Sequence, residues 1–110
     1  MQGGRIPDIT HLQFLVLGVL QQQEQPGRVV RRALADYGVR RSAPAFYQMM
    51  SRLEDDGLVE GWYEQITVGD QAVTERRYRI TAAGSRTWKD TRKFYEAVIL
   101  SVGRQRWSDA

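Results

Sequence analysis

Between Leu12 and Leu20 every position except Gln13 and Gly18 is apolar, a density that encircles a helix instead of striping one side of it. Thr10-His-Leu-Gln13 has the spacing of a capping box, so a first helix is predicted to start there and to need cover on most sides. Gln21 to Gly27 is a polar break containing Pro26. Val29, Val30, Ala33 and Leu34 then carry a second helix of about three turns, with Gly38 as its left-handed stop. Ser42 is a natural N-cap, Pro44 fits a first turn, and Phe46, Met50 and Leu53 repeat at i, i+4, i+7 as the core stripe of a third helix that Gly57 ends. From Leu58 the period changes to two, with Val59 and Tyr63 on one face and Leu58 and Trp62 on the other. Val68-Gly-Asp-Gln71 suits a hairpin tip, and Thr74 to Ile80 returns with Tyr78 and Ile80 on one face and Arg77 and Arg79 on a wet, cationic one. Thr81 caps a last helix on which Gly84, Trp88, Thr91, Tyr95, Val98 and Val102 make a four-three seam suited to another helix. Gly103 to Ala110 is expected to be a frayed tail.

The predicted order is helix, helix, helix, hairpin, helix: an α+β, mainly α, winged helix-turn-helix with three helices, a two-stranded wing and a long C-terminal helix for dimerisation. Residues 1–81 form the winged region and 82–110 the dimerisation helix and tail of a single structural domain. At 110 residues a lone core is marginal, which favours two copies. The 42% hydrophobic content excludes wholesale disorder. The longest apolar run, Phe14 to Leu20, falls far short of the ~20 residues of a membrane span. With no secretory pattern at the start, a soluble, cytoplasmic protein without membrane partners is expected.

The chain has no cysteine and a single histidine, His11, which removes thiolate chemistry and cysteine-type metal sites. No cofactor or metal is expected, and no Ser-His-Asp set, Walker loop or GxGxxG fingerprint is present. The acids Glu54-Asp55-Asp56 are read as a solvated helix end, with Glu54 free to pair with Arg52 or a wing arginine. The protein is therefore not expected to be an enzyme. Of its 16 cationic residues 14 are arginines, whose planar fork suits phosphates and guanine edges. Arg28, Arg31, Arg32, Arg40 and Arg41 precede the third helix, and Arg76, Arg77 and Arg79 crowd the return strand.

A short capped helix running into a basic hairpin reads as a recognition helix and a wing presented to duplex DNA. Tyr47, Met50, Arg52-Leu53-Glu54, Asp55-Asp56 and Gly57-Leu58-Val59, followed by Arg76-Arg77-Tyr78-Arg79-Ile80-Thr81-Ala82-Ala83-Gly84, resemble two motifs of the PadR family of winged helix-turn-helix regulators. The short subfamily with one C-terminal dimerisation helix is the better likeness. Where that family often carries His-Gly-Tyr, this chain has Pro26-Gly27-Arg28. The resemblance implies a homodimeric repressor of a near-palindromic operator, with double-stranded DNA as partner and an aromatic-lined cavity between subunits for a planar aromatic effector.

Ala43, Pro44, Ala45, Tyr47, Gln48 and Ser51 lie off the third helix's core stripe and would meet the major groove beside the cap Ser42. Gln48 can pair bidentately with adenine. Tyr47 either reaches the DNA backbone or rims the core. Arg40 and Arg41 are candidate phosphate clamps, or else solubilise the turn or pair with Asp36. Arg77 and Arg79 would touch phosphate or enter a minor groove, whereas Arg76 shares a face with Tyr78 and can pack structurally. Leu12, Trp88, Thr91, Tyr95, Val98 and Val102 are candidates for the dimer interface or effector pocket, the plainer alternative being that the rings only fill the interface. His11 is expected as a first-turn residue, Trp62 as a stiffener of the wing base, Trp107 and Gly3-Gly4 as parts of tails. Two other function classes fit the same residues: a winged-helix protein-interaction module without DNA readout, and a small aromatic-compound sensor.

Overall fold

The caps form where the side chains for them stand. In the computed structural model, which describes the backbone of residues 6–109 and the side chains of residues 6–103, Thr10 Oγ1 accepts from Gln13 N–H at 3.0 Å and Gln13 Oε1 accepts from Thr10 N–H at 3.1 Å. This box opens α1 (His11–Val19), so His11 is its first residue. Helix α2 spans Gly27–Asp36 and α3 spans Ala43–Asp55, the latter capped by Ser42 Oγ. Both close in the same way. Gly38 and Gly57 take φ of 87° and 74°, and the N–H groups of Gly38, Val39, Gly57 and Leu58 return to the carbonyls of Ala35, Leu34, Glu54 and Leu53. That pair of bonds is the Schellman closure, and the left-handed turn it needs favours glycine.

Strands β2 (Val59–Val68) and β3 (Gln71–Ile80) pair antiparallel from Val59–Ile80 to Val68–Gln71, forming the wing. The polar break before α2 also contributes a strand, which the expected element order lacks. Gln25 and Pro26, preceding α2, form β1 and pair with Tyr78 and Arg77, giving the sheet order β1-β3-β2. Two residues cannot display a period of two, and Pro26 is tolerated because an edge strand needs no donor there.

The core is drawn from every layer. Val16 and Leu17 of α1 and its C-cap Leu20 meet Val30 and Leu34 of α2, the stripe Phe46, Met50 and Leu53 of α3, and Val59 and Tyr78 of the sheet. Tyr63 shares the sheet face of Val59 yet is 71% exposed. On α1, Leu12, Phe14, Leu15 and Val19 stay half-buried, so the chain leaves part of this apolar helix uncovered.

Helix α4 (Ala82–Asp109) is seated by Thr81, whose hydroxyl donates to Gly57 O at 2.7 Å and accepts from Gly84 N–H at 2.9 Å. It then runs antiparallel along α1: Gln21 bonds Ser85, Phe14 stacks on Trp88 at 6.0 Å, and His11 stacks on Tyr95 at 6.3 Å. The predicted seam therefore divides. Gly84 and Thr91 are buried within the chain's own fold and Trp88 is half-buried against α1, whereas Tyr95, Val98 and Val102 remain exposed with Ile99 and Leu100. The tail expected from Gly103 onward is instead helix through Asp109, because nothing after Gly103 terminates it. The Trp107 side chain, Gly3-Gly4 and Ala110 lie outside the described residues. Twenty-eight residues of helix reach about 42 Å, and the long axis of the molecule is 65 Å.

Candidate nucleic-acid interface

Burying Phe46, Met50 and Leu53 leaves the opposite side of α3 outward, and Pro44, Tyr47, Gln48 and Ser51 are exposed there at i, i+3, i+4, i+7. Ala43 and Ala45 are half-buried beside them. Ser42 Oγ accepts from Ala45 N–H at 3.3 Å. Phe46 N–H returns to Ser42 O at 3.0 Å and Pro44 has no N–H, so Ala43 carries the one amide of this first turn left without a partner in the helix. Tyr47 rims the core. Its ring meets Phe46 edge-on at 5.0 Å while 38% of the residue stays exposed. It crosses the start of α2 so closely that a Cβ on Gly27 would lie 2.9 Å from Tyr47 Cε1 and 3.0 Å from its hydroxyl, which is a physical reason for glycine at that position.

Arg40 and Arg41 are exposed on the turn before Ser42, and among the described residues neither is in an ion pair, with Asp36 or any other acid. The turn is held from α2 by Arg31, whose Nε and Nη2 donate to Arg41 O at 3.0 and 2.9 Å. With Arg28 and Arg32 these residues line a cleft of about 290 Å³. Sequence reasoning left Arg28, Arg31 and Arg32 as undifferentiated charge. Their spacing with Ala35, i, i+3, i+4, i+7 on the side of α2 away from Val30 and Leu34, was the signal available.

The wing corrects the expectation of a wet, cationic face. The face that carries Arg77 and Arg79 also carries Glu60, Glu64 and Glu75, in register across the strands. Glu64 and Glu75 lie directly opposite one another, a repulsive pair unless a cation intervenes. Arg77 supplies it: Nη1 bonds Glu75 at 2.7 Å, Nη2 reaches Glu24 at 3.5 Å and Nε lies 3.8 Å from Glu64. With its side chain 18% exposed, Arg77 is a strut between β1, β2 and β3. The Glu75 hydrogen bond raises its pKa despite burial. Glu75 also takes Arg28 at 3.3 Å. Arg79 is more open, paired with Glu60 at 3.2 Å and lying over the Trp62 ring at 5.3 Å, so Trp62 does stand at the wing base.

On the opposite face Arg76 joins α3 to the wing. Nη2 donates to both Glu54 oxygens at 3.0 and 2.9 Å, and the guanidinium stands over Tyr63 at 4.6 Å and Tyr78 at 5.6 Å. Burial is the largest single influence and opposes its charge, but Glu54 and Tyr78 together outweigh it and its pKa is raised. Burial raises the Tyr78 phenol as well, against the pull of Arg76. Gly61 makes room for this joint, since a Cβ there would come within 2.8 Å of Arg76 Nη2 and 2.9 Å of Glu54 Oε1. Helix and hairpin thus face outward as one unit, with a concavity between them lined by Tyr47, Ser51, Thr74 and Arg76. Beside it a second concavity takes in Arg28, Ile66, Val68 and Val73.

Residues 16–90 match the Transcriptional regulator PadR-like family. The chain belongs to this family. It is accordingly a transcriptional regulator and not an enzyme. A solved PadR family transcriptional regulator from Eggerthella lenta DSM 2243 is similar at 29% identity and a TM-score of 0.63, covering 86% of this chain and 80% of that one. A PadR-like transcriptional regulator from Bacillus cereus strain ATCC 14579 shares the fold at 20% identity and TM-score 0.69, over 86% and 89% of the two chains. Bacillus subtilis PadR, solved in complex with operator DNA, shares it at 18% identity and TM-score 0.59, over 74% of this chain and 46% of that one. No curated protein matches the sequence. Among the described residues no helix of this PadR-like protein is long and apolar enough to cross a membrane.

Proposed function

We propose that this PadR-like regulator binds DNA as a homodimer, placing the α3 of each subunit in successive major grooves of a near-palindromic operator, and represses the adjoining gene. The observation that carries this reading is the exposed stripe Pro44, Tyr47, Gln48 and Ser51, set opposite a fully buried stripe and flanked by Arg40 and Arg41, which have no carboxylate partner among the described residues. In this assignment Gln48 reads an adenine edge, Tyr47 and Ser51 contact the backbone within the groove, and Arg40 and Arg41 hold phosphates. Arg79 touches the backbone from the wing, and Arg77 keeps the wing rigid. Exposed Tyr95, Val98, Ile99, Leu100 and Val102 supply the dimer seam, together with the half-buried Leu12 side of α1. A planar aromatic effector would slot beside the Phe14–Trp88 stack, which tryptophan quenching would report.

The test is fluorescence anisotropy of a labelled duplex from upstream of the protein's own gene against a shuffled duplex, across a salt series. Much tighter binding of the native fragment at one dimer per site supports the reading. Equal, weak binding of both fragments favours a winged-helix interaction module.

A further inference from the structure

The arginines before α3 and those on the wing divide into two groups. On the wing, Arg76, Arg77 and Arg79 each have a carboxylate within 3.2 Å. Along α2 and the following turn, Arg31, Arg32, Arg40 and Arg41 have none within ion-pair distance among the described residues, and only Arg28 reaches one, Glu75 at 3.3 Å. These five arginines surround a cleft of about 290 Å³ whose remaining lining is Ala35 and Val39. Four or five guanidinium groups around one concavity repel each other, and a polyanion laid through it relieves that repulsion. The cleft also adjoins the groove-facing surface. Arg28 lines both it and the concavity containing Tyr47, and Arg41 is the residue before the α3 cap. Arg31 fixes Arg41 through two hydrogen bonds to its carbonyl, so the charges of helix and turn are held in one frame.

We propose that this arginine cleft is a second phosphate seat, taking backbone phosphates of the duplex that flank the half-site read by α3. The electrostatic grip on DNA is then made by α2 and its turn, with the wing contributing shape more than charge. The inference rests on the DNA-binding reading above and adds to it a place and a reach: the preferred duplex extends past each half-site on the α2 side.

The experiment uses the full chain and the duplex it binds most tightly, comparing wild type with the double variant Arg28→Ala/Arg32→Ala, two cleft arginines that the reading above leaves without a phosphate. Arg31 is left intact because it holds the turn. A charge-matched variant, Arg86→Ala/Lys89→Ala, removes two exposed cations of α4, and thermal melts confirm that all three proteins fold. Losing two phosphate contacts per subunit, four per dimer, should flatten the plot of log affinity against log salt by about 3.6, so that between 50 and 200 mM salt the wild type loses roughly 150-fold more affinity than the double variant. The α4 variant should keep the wild-type slope. Adding a few flanking base pairs to a minimal duplex should tighten wild type and leave the double variant unchanged. If wild type binds a specific duplex and the double variant matches it in slope and length dependence, the cleft is not a phosphate seat, and the DNA-binding reading stands without it. If wild type binds no duplex specifically, both readings fall.

Discussion

Gly84 is where the fold has least tolerance. A Cβ built on it would lie 2.0 Å from Leu58 O, 3.0 Å from Leu58 C and 2.8 Å from Ile80 Cγ1. A carbon normally approaches a carbonyl oxygen to about 3.3 Å, so Gly84→Ala must push the first turn of α4 off the strand entry by more than roughly 1 Å. The same Leu58 carbonyl accepts from Thr81 N–H at 3.1 Å, so the displacement also disturbs the joint that seats α4. Overpacking costs about 1–3 kcal/mol when side chains can yield, and here backbone must yield, which puts the cost at or above about 3 kcal/mol. The helix-propensity gain of alanine over glycine returns at most ~1 kcal/mol. A net loss of about 2 kcal/mol or more is expected, a large share of the ~5–15 kcal/mol that holds a domain together. Urea unfolding followed by far-UV circular dichroism, at one fixed protein concentration because subunit association adds to apparent stability, should show the midpoint falling by roughly 1 M. Gly103→Ala makes the same chemical change in the same helix with no atom within 4 Å of the new carbon, and should stabilise by up to ~1 kcal/mol. A Gly84→Ala protein as stable as wild type would refute the reasoning, since propensity would then have outweighed a contact that cannot exist.

Arg77→Ala should lower stability by about 1–3 kcal/mol, because it leaves Glu75 (10% exposed) opposite Glu64 with only the exposed Arg28 as a cation partner, while leaving the salt dependence of DNA binding nearly as in wild type; urea titration and anisotropy on the same preparations separate the two effects. Tyr78 has its pKa raised, mainly by burial, so the stability it contributes is full below the ordinary tyrosine pKa of about 10 and is lost as pH rises through the higher folded value. Unfolding curves from pH 8 to 11 should therefore steepen downward at the alkaline end, and Tyr78→Phe should flatten that fall. Val98→Glu places a charge on the exposed apolar side of α4 and should shift sedimentation velocity at micromolar concentration from dimer to monomer with the helical content of the subunit retained; an unchanged dimer would move the subunit interface elsewhere.

What could be read from the sequence were features whose determinants lie within a few residues of one another. The Thr10 box, the Ser42 cap, the closures at Gly38 and Gly57 and the Phe46-Met50-Leu53 stripe are all local, and all stand as expected. What escaped depends on register and on distant partners. Strand β1 exists only because β3 has a free edge. Arg77 looks like a free wing cation until strand pairing sets Glu64 across from Glu75 and brings Glu24 alongside. A four-three pattern on α4 predicts a helical partner, but not that α1 of the same subunit takes the Trp88 end and leaves the Val98 end open. The arginines of α2 were visible as charge, and only the folded turn gathers them with Arg40 and Arg41 around one cleft.

Specific readout of DNA by α3 is tested most directly by in vitro selection from a pool of random duplexes, followed by sequencing of the bound fraction. The enriched duplexes should carry two half-sites related by a dyad, their centres about 10–10.5 base pairs or a multiple of that apart, with an adenine position that loses its enrichment when Gln48→Ala replaces wild type. A bound fraction with no motif beyond the starting pool, or one whose motif is untouched by changes at Tyr47, Gln48 and Ser51, would contradict it.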